Sequence, residues 1–211
     1  MQQIKTHGIH YLEPLAGSNW YYGMDYTGGD LYEAQELFRH GHPIQKNRLI
    51  LIRHPDGKVI EPVQTNIGQY LGQPVYHDGQ VILLLVDFPD EEIHIIGFDP
   101  QTEQTASLAT LPLSIAQDCY NLLLHTPPLM LTRSPQDNHF QILWPEYREF
   151  MIEDHESFAC LEGDKLYTTV WYEDPDYREE ILVRDFTTGA VLKRMPGTIW
   201  AMPGGQNWAL V

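Results

Sequence analysis

The residues most suited to ligand binding or catalysis are carboxylates in short polar segments between the apolar runs of the chain. Six of them stand out, in the order Asp90, Glu91, Asp154, Glu173, Asp174 and Asp176. Clustered carboxylates raise the local concentration of cationic partners and speed their association. The pattern therefore predicts a binding surface for a basic peptide, a protein or a small cationic molecule. The alternative interpretation is a solvated surface on an acidic protein, which needs no ligand.

Three further carboxylates, Asp25, Asp118 and Glu156, lie within or just before predicted strands. Glycoside hydrolysis requires two carboxyl groups that face each other across the scissile bond, roughly 5 to 9.5 Å apart. These residues are the only candidates for such a catalytic set, and whether the protein is an enzyme stays open at this point. The absence of nucleophile motifs favours a protein that is not an enzyme.

Metal and cofactor chemistry has little support in the sequence. The pair His40 and His42 could chelate a metal ion if a third ligand came from another loop, but the spacing identifies none. An ordinary histidine pair in a surface loop is the alternative. No phosphate-binding or dinucleotide-binding motif occurs, so we expect no cofactor.

The composition excludes two classes of partner. Thirteen Lys and Arg against 29 Asp and Glu give a net charge of -16, which disfavours binding to nucleic acid and to anionic membranes. The longest apolar run, residues 81–86, is far shorter than the roughly 20 residues of a membrane span.

The N-terminus does not have the pattern of a signal peptide. Cys119 and Cys160 do not form a disulfide framework. We therefore expect a cytoplasmic monomer.

Strand signals dominate the chain and helical periodicity is scarce. The runs rich in β-branched and aromatic residues include 48–52, 81–87, 92–98, 165–172 and 180–183. The best helical candidate, Tyr32 to Phe38, is short and could equally extend a strand. The pattern predicts an all-β protein.

Two classes of turn alternate along the chain at intervals of roughly 36 to 50 residues. The first class comprises residues 28–30, 78–80, 126–128, 162–164 and 204–206. The second class comprises residues 6–8, 55–57, 101–103, 145–147 and 187–189. Most of these turns contain Gly, Pro or Asp, which suit tight corners between strands. The alternation predicts units of four strands, each about 42 residues long.

Such units resemble the blades of a β-propeller, and the resemblance covers residues 1–211 as a single domain. It is architectural only, because the units lack the Trp-Asp and Gly-His signature of WD repeats and the Gly-Gly signature of Kelch repeats. The phase of the turns predicts five blades, with strands from residues 3–14 and 198–211 paired to close the ring and remove two exposed edges. A β-sandwich with a similar number of strands is the structural alternative.

Three functions are compatible with this architecture, since a fold does not by itself supply a function. The first is a non-catalytic binding module that uses the acidic loops. The second is a hydrolase like the propeller glycoside hydrolases, which mount carboxylates around a central channel. The third is a purely structural role in a larger assembly. The charge pattern favours the binding module.

Overall fold

The computed structural model describes residues 1–26, 29–116, 119–135, 137–202 and 206–211. The fold is all-β, as the sequence predicts, and its strands form several antiparallel sheets of which none is closed. One α-helix, α1 (Leu31–Arg39), contains the predicted helical segment, and one 3₁₀ helix covers Leu113–Ile115 among the described residues. The first turn of α1 is capped by the Asp30 carboxylate, which accepts a hydrogen bond from the Glu33 backbone N–H at 3.0 Å. Within the described ranges no helix has both the length and the apolar character that a membrane span requires.

Each of the first four sheets is built from strands that follow one another in the chain. Sheet A contains β1 (Glu13–Pro14), β2 (Trp20–Met24), β3 (Leu49–Arg53) and β4 (Val59–Ile60). Sheet B contains β5 (Gln69–Leu71), β6 (Val75–His77), β7 (Gln80–Asp87), β8 (Glu92–Asp99) and β9 (Gln104–Pro112). Both β5 and β6 pair with β7, so together they form one interrupted edge strand.

The second half of the chain repeats this pattern. Sheet C contains β10 (Cys119–His125), β11 (Met130–Pro135), β12 (His139–Trp144) and β13 (Arg148–Met151). Sheet D contains β14 (Glu156–Glu162), β15 (Lys165–Tyr172), β16 (Arg178–Asp185) and β17 (Val191–Pro196). The C-terminal sheet E is a hairpin of β18 (Thr198–Ala201) and β19 (Asn207–Leu210).

Most of the predicted turns connect adjacent strands of these sheets, but the one at residues 6–8 precedes the first strand. Asp78 and Gly79, at φ 47° and 85°, join β6 to β7, and Gly163 at φ 61° lies between β14 and β15. Gly57 and Gly189, both at φ 72°, lie at the turns that precede β4 and β17. Positive φ is accessible to Gly at no steric cost, which is why these corners could be recognised from sequence. The predicted corner at 204–206 lies mostly outside the described residues, as does part of the one at 28–30.

The sheets pack against one another in chain order. Along β7, Ile82, Leu84 and Val86 point into a core shared with sheet C and α1. The alternate residues Val81, Leu83 and Leu85 point into a core shared with sheet A. Sheet B is therefore covered on both faces, which explains its continuous apolar run. A third core, which includes Phe140, Ile142 and Leu166, joins sheet C to sheet D.

The predicted pairing of N-terminal with C-terminal strands is not formed. Residues 1–12 contain no strand, and β1 pairs with β2 inside sheet A. Ile4 and Ile9 instead pack against Ile50 and Ile52, on the face of sheet A away from sheet B. Burial of these isoleucines stabilises residues 1–12 on sheet A and competes with their pairing to the C-terminal strands. Sheet E keeps only its two strands.

The order of strands in sheet A also differs from the prediction. Residues 3–14 were expected to supply strands to the closing blade, but Glu13–Pro14 forms β1, which pairs outside β2 and makes β2 the second strand of sheet A. The segment Glu13–Pro14 has no run of apolar or β-branched residues. It therefore carries no strand signal.

Candidate functional site

A cleft between sheets C and D holds more of the predicted binding residues than any other described feature. It consists of two adjoining cavities that share the lining residues Asn138, Glu153 and His155. The inner cavity has a volume of about 320 Å³ and the outer one about 570 Å³. Volumes of this size suit a small molecule or one or two side chains of a larger ligand.

The outer cavity gathers carboxylates from two loops. Asp154 lies in the β13–β14 loop, whereas Glu173 and Asp174 lie in the β15–β16 loop. The Asn138 side-chain amide donates a hydrogen bond to Asp154 at 2.5 Å. All three acidic residues are exposed, and no described residue donates a side-chain hydrogen bond or forms an ion pair to the carboxylates of Glu173 and Asp174. Their negative charge is therefore available to a ligand.

An aromatic surface adjoins these carboxylates. The ring of His155 stacks on the indole of Trp171, with 3.9 Å between centroids and 26° between planes. Trp171 is the penultimate residue of β15, and both residues line the outer cavity. His155 has a φ of 61°, a backbone conformation that is uncommon for a residue with a side chain. This conformation belongs to the turn that carries Asp154 and His155 over the cleft.

A buried ion pair supports that turn. The Arg184 guanidinium donates to both oxygens of Glu156, at 2.7 Å from Nε and 2.6 Å from the terminal nitrogen. Glu156 also accepts hydrogen bonds from the Glu153 backbone N–H at 2.8 Å and from the Thr168 hydroxyl. The Glu156 carboxylate thus links the β13–β14 loop to sheet D. Bidentate charge-assisted bonds of this kind are directional and strong.

Glu153 has a different role from its acidic neighbours. It forms an ion pair with Arg194 and accepts a hydrogen bond from the Tyr172 hydroxyl at 3.1 Å. The hydrogen bond from Arg194 is the main reason that the pKa of Glu153 lies below its ordinary value. Since Arg194 already compensates this charge, Glu153 contributes less to a ligand than Asp154, Glu173 or Asp174.

The inner cavity is lined by a charged side chain, Arg133, and by a histidine that is neutral near pH 7, His125. The side chain of Arg133 is buried and donates to Asp137 at 2.8 Å. His125 forms a hydrogen bond between its Nε2 and the Thr132 hydroxyl at 2.8 Å, and its ring contacts Phe158. Burial lowers the pKa of His125 to about 4, because a charged imidazole would lose its hydration there. His125 is therefore neutral near neutral pH.

The remaining predicted binding residues lie elsewhere. Asp90 and Glu91 are exposed in the turn between β7 and β8, where the Asp90 backbone N–H donates to Asp87 at 3.1 Å. Asp176 is exposed in the same loop as Glu173 but does not line the outer cavity. The structure thus brings together three of the six acids.

Two of the three catalytic candidates are described, and they lie at different sheets, Asp25 beside sheet A and Glu156 in sheet D. Asp25 is exposed after β2 and accepts a hydrogen bond from the Arg48 backbone N–H at 2.6 Å. Glu156 lines the inner cavity, but its carboxylate oxygens already accept the hydrogen bonds described above. Asp118 lies outside the described residues.

The histidine pair lies at the end of α1. His40 is the C-cap residue, and its ring Nδ1 is 2.8 Å from the Glu36 carbonyl oxygen. His42 is exposed. Among the residues that the structure describes, no group of three or more His, Cys, Asp or Glu is arranged to hold a metal ion. Both cysteines are buried, and burial raises the pKa of the Cys160 thiol to about 11.

Asn138, His155 and Trp171 were not predicted as site residues. Trp171 lies in a strand whose buried apolar residues are Leu166 and Val170, and sequence alternation cannot tell which aromatic side chain meets a neighbouring sheet. A comparison with models of known protein families and with curated proteins finds no match for this chain.

Proposed function

We propose that this protein is a non-catalytic binding module whose ligand carries a guanidinium or ammonium group into the cleft between sheets C and D. The observation that carries the proposal is the outer cavity, where Asp154, Glu173 and Asp174 lie beside the exposed indole of Trp171. A planar guanidinium can stack on an aromatic ring while its N–H groups bind carboxylates. A basic peptide or protein segment is therefore the class of partner that fits.

The net charge of the chain supports the same class of ligand. At -16 the protein as a whole attracts cations and repels anions, and the effect on association is strongest at low ionic strength. The aromatic surface beside the carboxylates gives the cleft a specificity that exposed acids such as Asp90 and Glu91 lack. This difference separates a binding site from an evenly acidic surface.

We further propose that the sheets form the blades of a five-bladed β-propeller, with sheet E as a two-stranded fifth blade. Support comes from the four consecutive antiparallel meanders and from the packing of sheet B between sheets A and C. A β-sandwich, the alternative, has two packed layers. We also propose a single domain that acts as a monomer in the cytoplasm. The two buried thiols support the cytoplasmic location.

Titration calorimetry with a capped tri-arginine peptide tests the function. Removal of two charges in the double variant Glu173→Gln/Asp174→Asn should weaken binding about fivefold to tenfold at low salt, since each exposed charge contributes modestly. Asp90→Asn/Glu91→Gln is the matched control, because it removes the same charge away from the cleft. It should change the Kd less than about twofold.

Two results would contradict the proposal. Equal weakening by the cleft variant and the control would mean that only the overall charge attracts the peptide. Failure of the wild-type protein to bind the peptide saturably at low salt would remove the cleft as a cation site. A capped tri-glutamine peptide serves as the neutral reference in both titrations.

A further inference from the structure

A second cavity, with a volume of about 310 Å³, lies where sheets A, B and C meet, and it shares no lining residue with the cleft. Its walls come from β2 of sheet A, β5 of sheet B, Asn121 of sheet C and the cap of α1. Four tyrosines line it: Tyr11, Tyr22, Tyr26 and Tyr70. Two carboxylates, Glu13 and Asp30, line it as well.

Three of the four tyrosines are held in place by contacts within the walls, whereas Tyr11 is 71% exposed. Tyr26 and Tyr70 meet edge to face, with 6.1 Å between ring centroids and 86° between planes. The Tyr22 hydroxyl donates to Glu13 at 2.6 Å, and the Tyr70 hydroxyl is 3.4 Å from the Asn121 side-chain oxygen. Tyr22 and Tyr70 are buried, so their rings are fixed by the core. A preformed cavity needs little ordering when a ligand enters.

The charges of this cavity are not balanced by its own walls. Among the described lining residues there is no lysine or arginine. Glu13 accepts its hydrogen bond from a neutral tyrosine, and Asp30 accepts one from the backbone of α1. The two carboxylates and the four electron-rich rings each favour a cation in this cavity.

We infer that this cavity is a binding site for a methylated ammonium group. A primary ammonium is a compact, strongly hydrated charge that requires hydrogen-bond acceptors around it. A methylated ammonium presents methyl groups to the rings and keeps its charge for the ring quadrupoles and the carboxylates. The volume is at the lower end of the range for small-molecule sites, about 300 to 1,000 Å³, so the ligand is small.

Choline and its neutral analogue 3,3-dimethylbutan-1-ol, in which carbon replaces the nitrogen, provide the direct test. The two molecules have the same shape, so the difference between their affinities reports the charge. We expect choline to bind saturably and at least about tenfold more tightly than the analogue. In the wild-type protein with ¹³C-labelled tyrosine, choline should shift the ring signals of Tyr22, Tyr26 and Tyr70.

Glu13→Gln is the informative variant, because glutamine can still accept the hydrogen bond from Tyr22 while the charge is lost. It should weaken choline binding about fivefold or more. Glu91→Gln removes an equal charge at a residue that does not line the cavity and should leave choline affinity unchanged. Circular dichroism and the ring spectrum of each variant verify that it is folded.

The inference is overturned if choline causes no saturable shift of these ring signals, or if the neutral analogue binds as tightly as choline. A peptide that carries trimethyl-lysine distinguishes the source of the group. Binding tighter than that of choline assigns the cavity to a modified side chain, and weaker binding assigns it to a free small molecule. The variant Glu173→Gln/Asp174→Asn should bind choline normally, so the two proposals fail independently.

Discussion

The ion pair between Glu156 and Arg184 offers the sharpest prediction about stability. The Glu156 side chain is 0% exposed and that of Arg184 is 6% exposed. The Glu156→Gln substitution removes the negative charge and leaves a buried guanidinium without its counter-charge. Loss of one partner of a buried pair costs about 3 to 5 kcal/mol of unfolding free energy. Arg184 also donates to the Gly189 carbonyl at 2.7 Å, so it cannot turn to solvent without breaking a second contact.

Urea denaturation followed by circular dichroism measures this cost. With a slope of about 2 to 3 kcal/mol per molar urea for a chain of this size, the midpoint of Glu156→Gln should fall by roughly 1 to 2.5 M. Glu146→Gln is the matched control, because Glu146 forms an exposed pair with Arg148 at 2.8 Å. Its cost should stay below about 1 kcal/mol.

A double-mutant cycle separates the pair from its surroundings. Glu156→Leu combined with Arg184→Met removes both charges and keeps much of the volume, so it should cost less than the sum of the two single substitutions. The reasoning is refuted if Glu156→Gln costs less than about 1 kcal/mol, or if the two single costs simply add. Either result would mean that the pair does not stabilise the β13–β14 loop.

Two further predictions concern pH and backbone conformation. The pKa of His125 is lowered from 6.5 to about 4 by burial, so between these values the unfolded chain binds a proton that the folded chain does not, and stability falls as the pH is lowered through this window. His125→Gln, which can keep the hydrogen bond to Thr132, should show a shallower loss of Tm between pH 7 and pH 4.5; an unchanged slope would contradict the assignment. Gly189 has a φ of 72°, and an added Cβ would lie 2.5 Å from Cβ of Phe150. Gly189→Ala should therefore cost more than about 1 kcal/mol of unfolding free energy in urea denaturation. Gly163 also has a positive φ, but an added Cβ there would meet no atom within 4 Å, so Gly163→Ala should cost less. The reverse order would contradict the steric argument.

The strands and turns could be predicted because their signals are local. Runs such as residues 81–86 are apolar on both faces of β7, and corners such as Asp78 and Gly79 require positive φ. These features depend on a few adjacent residues. The all-β class and the alternation of turns follow from them.

The closure of the chain could not be predicted from such signals. Residues 1–12 can pair with the C-terminal hairpin or pack on sheet A, and the two surfaces compete for this segment. In the structure Ile4 and Ile9 pack against the isoleucines of β3. Trp200 and Trp208 of sheet E remain 59% and 52% exposed. Nothing local in the sequence reports the outcome of that competition.

The candidate site was only partly predictable for the same reason. The acidic loops were recognised, but the convergence of Asp154 with Glu173 and Asp174 depends on how sheet C packs against sheet D. The role of Glu156 was also hidden, because its partner Arg184 is 28 residues away in the chain. The tyrosine-lined cavity draws on three sheets, so no spacing in the sequence reveals it.

The central claim is that a cationic ligand binds in the outer cavity against Trp171, and an NMR titration tests it most directly. Labelling of tryptophan with ¹⁵N gives one indole signal for each of the 5 tryptophans. The variant Trp171→Phe identifies the signal of Trp171. Capped tri-arginine peptide should shift this signal saturably and leave the signals of Trp20 and Trp200 in place. An unmoved Trp171 signal, or equal shifts at all the tryptophans, would contradict the claim.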